Sequence, residues 1–132
     1  MQSLNFEFLR KKNEALAELG AFAETYVHSD PAGALVKLRL FGENLLSDFL
    51  CAKRMARLPQ ATFSELLDMV RDQHCFPAVI LDKLHYLRRV GNQAAHDSPQ
   101  WSFAQKAMTA LQTAFDLGKW FNLSVYADPS AN

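Results

Sequence analysis

The sequence predicts a compact all-α bundle of about five helices. Three observations carry that expectation. Apolar residues recur at helical spacing along most of the 132 residues, no stretch alternates with period two long enough to make a sheet, and proline-containing caps divide the pattern into segments joined by short connections.

The first segment covers roughly residues 6 to 27, where Leu9, Leu16, Leu19, Phe22, Ala23 and Tyr26 share one face. Ser29-Asp30-Pro31 ends it, and Asp30 caps a second helix with Pro31 in its first turn, where a missing N–H costs nothing. That helix is expected to run to about Arg57. Its apolar residues Ala34, Leu38, Phe41, Leu45 and Phe49 are joined by Leu35, Leu46 and Leu50, so it should be central and touched by several neighbours. Leu58-Pro59-Gln60 closes it. Thr62-Phe63-Ser64-Glu65 is a capping box that opens a short third helix. Pro77 opens a fourth, with Ile80, Leu81, Leu84 and Leu87 inward. Ser98-Pro99 starts the last, striped by Trp101, Ala104, Met108, Leu111 and Phe115. The pattern dissolves from Ser124 onward, so the reading is one bundle domain over residues 1–123 and a linker or tail over 124–132.

Composition narrows the function classes. Fourteen basic and fourteen acidic residues cancel, so any nucleic-acid contact must come from a local patch rather than bulk charge. Lys53, Arg54 and Arg57 cluster at the end of the second helix; they suit phosphates, and they equally suit a helix C-terminus. Lys11, Lys12 and Arg88 are open to the same two readings. Cys51 and Cys75 match no metal spacing and read as buried or half-buried thiols of a reducing compartment. His28 and His74 lack partners at ligand spacing, and the five glycines form no phosphate-cradling loop. No metal or cofactor is expected. No signal peptide and no membrane span are evident, and the expected location is cytoplasmic.

The chemistry-bearing stretch is Leu87 to Asp97. On a helix, Arg89, Asn92 and His96 stand at i, i+3 and i+7 and share a face, extended one turn back by His85. Gly91, Ala94 and Ala95 would let another backbone approach. Arg89 and His96 suit metal-independent RNA cleavage, with histidine moving the proton, guanidinium holding phosphate and Asn92 orienting either. The structural alternative pairs Arg89 with an acid such as Glu43 and uses Asn92 and His96 at the helix end. Spacing alone favours that alternative, because polar helix ends are common. Arg39 and Glu43, at i, i+4 on the apolar second helix, are expected to pair within a partly buried polar network. Glu43 is the carboxylate expected nearest Arg89, and His85, Arg88 and Asp97 complete the polar set.

Arg89 and His96, separated by a short spacer, resemble the arginine–histidine signature of the HEPN superfamily of small helical bundles. The string Leu87-Arg88-Arg89-Val90-Gly91-Asn92-Gln93-Ala94-Ala95-His96 is similar to a branch at the N-termini of R subunits of type I restriction enzymes and related helicases. Asn5-Phe6-Glu7-Phe8-Leu9 and the segment from Asp30 to Arg39 are similar to the same region. The resemblance covers roughly residues 4 to 122. It implies a HEPN-like bundle followed, in such R subunits, by a nuclease domain and an ATP-driven DNA translocase. In HEPN ribonucleases the arginine and histidine meet across a dimer, which would place Arg89, His96 and Asn92 in a composite site. HEPN enzymes commonly carry a polar residue after the arginine, whereas Val90 stands here. That difference favours an interaction module docking to other domains, partner subunits or DNA; the ribonuclease, with a homodimer, is the rival reading.

Overall fold

A computed structural model describes residues 1–55, 60–96 and 103–126. The expectations for Arg57, Leu58, Pro59, Asp97, Ser98, Pro99, Trp101 and residues 127–132 lie outside the described residues. Among the described residues there are five α-helices and no strand: α1 (Glu14–Tyr26), α2 (Pro31–Ala52), α3 (Phe63–Asp72), α4 (Ala78–His96) and α5 (Ala104–Phe121). The all-α expectation holds.

Two helix starts match their sequence signals. The Asp30 carboxylate accepts from Gly33 N at 3.0 Å and Pro31 follows as the first helical residue. At α3, Thr62 Oγ1 accepts from Glu65 N while the Glu65 carboxylate accepts from Thr62 N, a complete capping box.

Other boundaries differ from expectation. Residues 6 to 27 are not one helix. Glu7–Leu9 form a single 3₁₀ turn, and α1 starts only after Asn13, whose side chain accepts from Leu16 N. A clamp on α1 folds the N-terminal segment back against that helix. The Glu24 carboxylate accepts from Leu4 N, Asn5 N, Asn5 Nδ2 and Ser3 Oγ. Phe6 then turns inward, fully buried, edge-on to Phe41 with ring centroids 5.4 Å apart. Its ring occupies the space a Cβ at Gly20 would need, 2.3 Å away. Burying such a ring contributes about 1.5–3 kcal/mol.

The second helix ends at Ala52, short of Arg57. Met55 N bonds back to Leu50 O and Arg54 takes a left-handed backbone with φ 55°. This is a Schellman-type stop made without glycine. His74, with φ 53°, ends α3 in the same way, with Cys75 N donating to Val70 O. Beyond α5 the helical path continues as a π-helical turn over Asn122–Tyr126, with Val125 buried. Ordered structure therefore passes the point where the sequence pattern dissolves.

The pairs α1–α2, α2–α4 and α4–α5 each run antiparallel. On α2 and α4, Gly42 faces Leu87 and Arg39 faces Gly91; advancing along one means retreating along the other. Asn13 reaches Asn44 and Lys37 lies over Phe22, so α1 opposes α2. Lys83 with Asp116 and Gln93 with Lys106 do the same for α4 and α5. The central position expected of α2 is observed, since it packs against α1, α4 and α5. The short α3 lies against the α4 side.

Candidate functional site

The face of α4 that meets α2 is marked by Leu87 and Gly91, both buried. At about 100° per residue, Arg89 points away from that face, and it is exposed. His85, Asn92 and His96 follow Arg89 along one flank: His85 and Asn92 half-buried, His96 exposed at the helix end. The expected shared stripe is thus present on a continuous helix. Arg89 and His96 lie about 10 Å apart along the axis, at ~1.5 Å rise per residue.

The predicted partners of this stripe are not where the sequence suggested. Glu43 lines a cavity with Leu19, Leu40, Asn44 and Ser47, on the side of α2 that meets α1. Arg89 is on the far side of α4, so Glu43 is not the carboxylate beside it. Among the described residues, ion pairs are formed by the Met1 ammonium, Arg10, Arg71 and Lys83. The i, i+4 pair expected between Arg39 and Glu43 is not among them. The physical reason is Gly91. A Cβ there would lie 2.4 Å from Arg39 Cβ, 3.0 Å from Cδ and 3.1 Å from Cγ. The aliphatic stem of Arg39 is therefore laid against the α4 backbone at Gly91. Close approach at Gly91 was expected; Arg39 as the group that approaches was not.

Arg88 is half-buried one turn before Gly91. The Nε atoms of Arg39 and Arg88 are both buried and have no hydrogen-bond partner among the described residues. The field of this flank shows in His85. Burial, then the positive charges of Arg88 and Arg89, push its pKa below the usual histidine value, against the opposing pull of Asp68 and Asp82.

Sequence reading missed a second polar cluster. Asn13 Nδ2 donates to Asn44 Oδ1 at 2.8 Å and to Asp48 Oδ2 at 2.6 Å, and the Tyr126 hydroxyl donates to the same Asp48 oxygen. Burial and the Asp48 carboxylate hold the Tyr126 pKa well above the ordinary phenol value. This cluster ties the start of α1 and the end of the described chain to α2. Its one local signal is Asn44 and Asp48 at i, i+4 on an otherwise apolar helix.

The cysteines are free, Cys51 exposed rather than buried and Cys75 half-buried. Among the described residues no group of three or more His, Cys, Asp or Glu is placed to hold a metal, and no helix is long and apolar enough to cross a membrane.

No family model matches the chain, and no solved structure matches it significantly. Among curated proteins, the chain is similar to the Type I restriction enzyme EcoKI endonuclease subunit of Escherichia coli (strain K12), at 32% identity over 132 residues. The alignment takes in 97% of this chain and 11% of that subunit, so the chain spans about a ninth of the length of the relative it matches.

Proposed function

We propose that this chain is an interaction domain, HEPN-like in fold, of the R subunit of a type I restriction enzyme or a related helicase. It contacts other domains or subunits of the restriction complex, or DNA. The observation that carries this reading is the 32% identity to a restriction endonuclease subunit along 97% of the chain. In this reading the parent protein is a cytoplasmic ATP-dependent DNA translocase and endonuclease whose chemistry lies outside these residues.

The surface supports protein docking. Leu123 is 72% and Leu4 94% exposed, against a background in which large apolar side chains are mostly inside. Phe8, Phe115, Lys119, Asn122 and Leu123 line a groove of about 300 Å³. Phe115 also borders an adjoining cleft with Met108 and Leu111. An apolar strip along α5, rimmed by lysine and amides, suits the surface of another subunit. The test is co-elution of the folded chain with the remaining subunits of a type I restriction complex. Leu123→Glu is expected to abolish co-elution while leaving the helical spectrum unchanged. Absence of any association with the wild-type chain refutes the reading.

One observation favours the ribonuclease alternative: Arg89 and His96 are both exposed on the same flank as Asn92, where a second copy could complete a composite site. The purified chain incubated with single-stranded RNA in EDTA decides it. Cleavage that disappears in His96→Ala establishes that reading; intact RNA with a confirmed dimer eliminates it.

A further inference from the structure

We propose that the flank between α2 and α4 around Arg39 and Arg88 is a binding site for a phosphate group, of the kind borne by a nucleic-acid backbone. The proposal deepens the DNA-contacting part of the reading above and rests on it for the choice of polymer alone.

Three observations converge. First, the two arginines lie on the same side of the helix pair. On α4, Lys83 turns to Asp116 of α5, while Leu87 and Gly91 meet α2. Arg88 follows Leu87 by about 100° in the direction away from α5. On α2, Phe41 turns toward Gly118 of α5 and Gly42 toward α4. Arg39, three residues before Gly42 and laid over Gly91, continues to the outer edge of that contact, again away from α5. Both guanidiniums therefore belong to one flank, and Asn92 and His85 stand beside them.

Second, neither Nε–H has a partner among the described residues. A buried, charged donor without an acceptor is costly to keep, and a bound water or ion is one way a folded protein satisfies such a group. Arg10 shows the contrast: its guanidinium meets Glu7, Glu18 and the Met1 carbonyl. Third, the positive charges of Arg88 and Arg89 add to burial in pushing the His85 pKa down, against the opposing pull of Asp68 and Asp82, so cationic groups reach this flank although the whole chain is neutral. An anion with several acceptor oxygens answers all three, and guanidinium forks match phosphate geometry. Gly91 is part of the device, because any side chain there would lift Arg39 out of position.

The probes are inorganic phosphate and a short duplex DNA, each at low salt, where backbone contacts are strongest. Binding of phosphate is read from the Nε–H NMR signals of Arg39 and Arg88, and binding of duplex from fluorescence anisotropy. The wild-type chain should show saturable shifts of both signals with phosphate. If the backbone is the source, Arg39→Gln and Arg88→Gln should each weaken duplex binding about ten-fold, as loss of one charge-assisted hydrogen bond implies. The slope of log K against log salt should fall by about one for each arginine removed. Arg71→Gln, on α3 and paired with Asp68 and Asp72, should change neither. Phosphate shifts without duplex binding support the site with a free phosphate-bearing ligand. Absence of shifts, or duplex binding unchanged in the double variant, overturns the proposal. The co-elution assay, which reads the Leu123 groove, is independent of either result.

Discussion

Replacing Gly91 by alanine should destabilise the protein by about 2 kcal/mol, although alanine is the better helix former. The intrinsic preference favours Ala over Gly by about 1 kcal/mol in a helix interior. Against it stands the contact with α2. The added methyl would lie 2.4 Å from Arg39 Cβ, whereas carbon atoms rest at roughly 3.5–4.0 Å. The atom it meets is fixed to the α2 backbone and cannot swing aside, so the two helices must part by about 1 Å. Overpacking of this sort costs about 1–3 kcal/mol and sometimes more, and an overlap this deep belongs at or above the top of that range. For a chain of this size the net loss corresponds to a fall in Tm of ~8 °C, measurable by circular dichroism. Arg39→Ala in the same background should not rescue, because the clash is with Cβ. Arg39→Gly removes that atom and should recover most of the loss, a coupling of about 2 kcal/mol in a double-mutant cycle. A Gly91→Ala protein melting at or above wild type would refute the α2–α4 crossing described here.

Asn13→Ala removes the α1 cap together with both bonds to Asn44 and Asp48; chemical denaturation should show a loss of about 2 kcal/mol. Tyr126→Phe deletes one bond to Asp48 and should cost about 1 kcal/mol. Arg54→Gly and His74→Gly relieve left-handed backbones at two helix ends and should each raise stability by ~0.5–1 kcal/mol in the same assay. The His85 pKa lies below its ordinary 6.5 in the folded chain, so near and just below that pH the unfolded chain binds the extra proton. Stability should therefore decline as pH falls from about 6.5 through the depressed value, and His85→Gln should flatten that part of the pH–stability curve.

What the sequence revealed was local. Asp30 with Pro31, and Thr62 with Glu65, signal helix starts because a cap and its acceptor lie three residues apart. The false continuation of α1 through Phe6–Leu9 arose because those residues keep helical apolar spacing. The forces that break the helix there are tertiary: the Glu24 carboxylate and the bare backbone at Gly20 fold the segment back onto α1. The end of α2 was overrun for a related reason, since Arg54 adopts the backbone that glycine would have announced. At the candidate site the small residue Gly91 was legible as a point of close approach. Its partner was not, because Arg39 and Glu43 at i, i+4 look like an ordinary helix pair until Arg39 is laid against α4. The cluster of Asn13, Asp48 and Tyr126 joins residues too far apart in sequence for any spacing rule.

The central claim, that this chain is an interaction domain of a restriction-enzyme R subunit, is tested most directly by the reading frame beyond Asn132. The frame is expected to continue into a nuclease and an ATP-driven translocase; a stop codon immediately after Asn132 would refute the proposal.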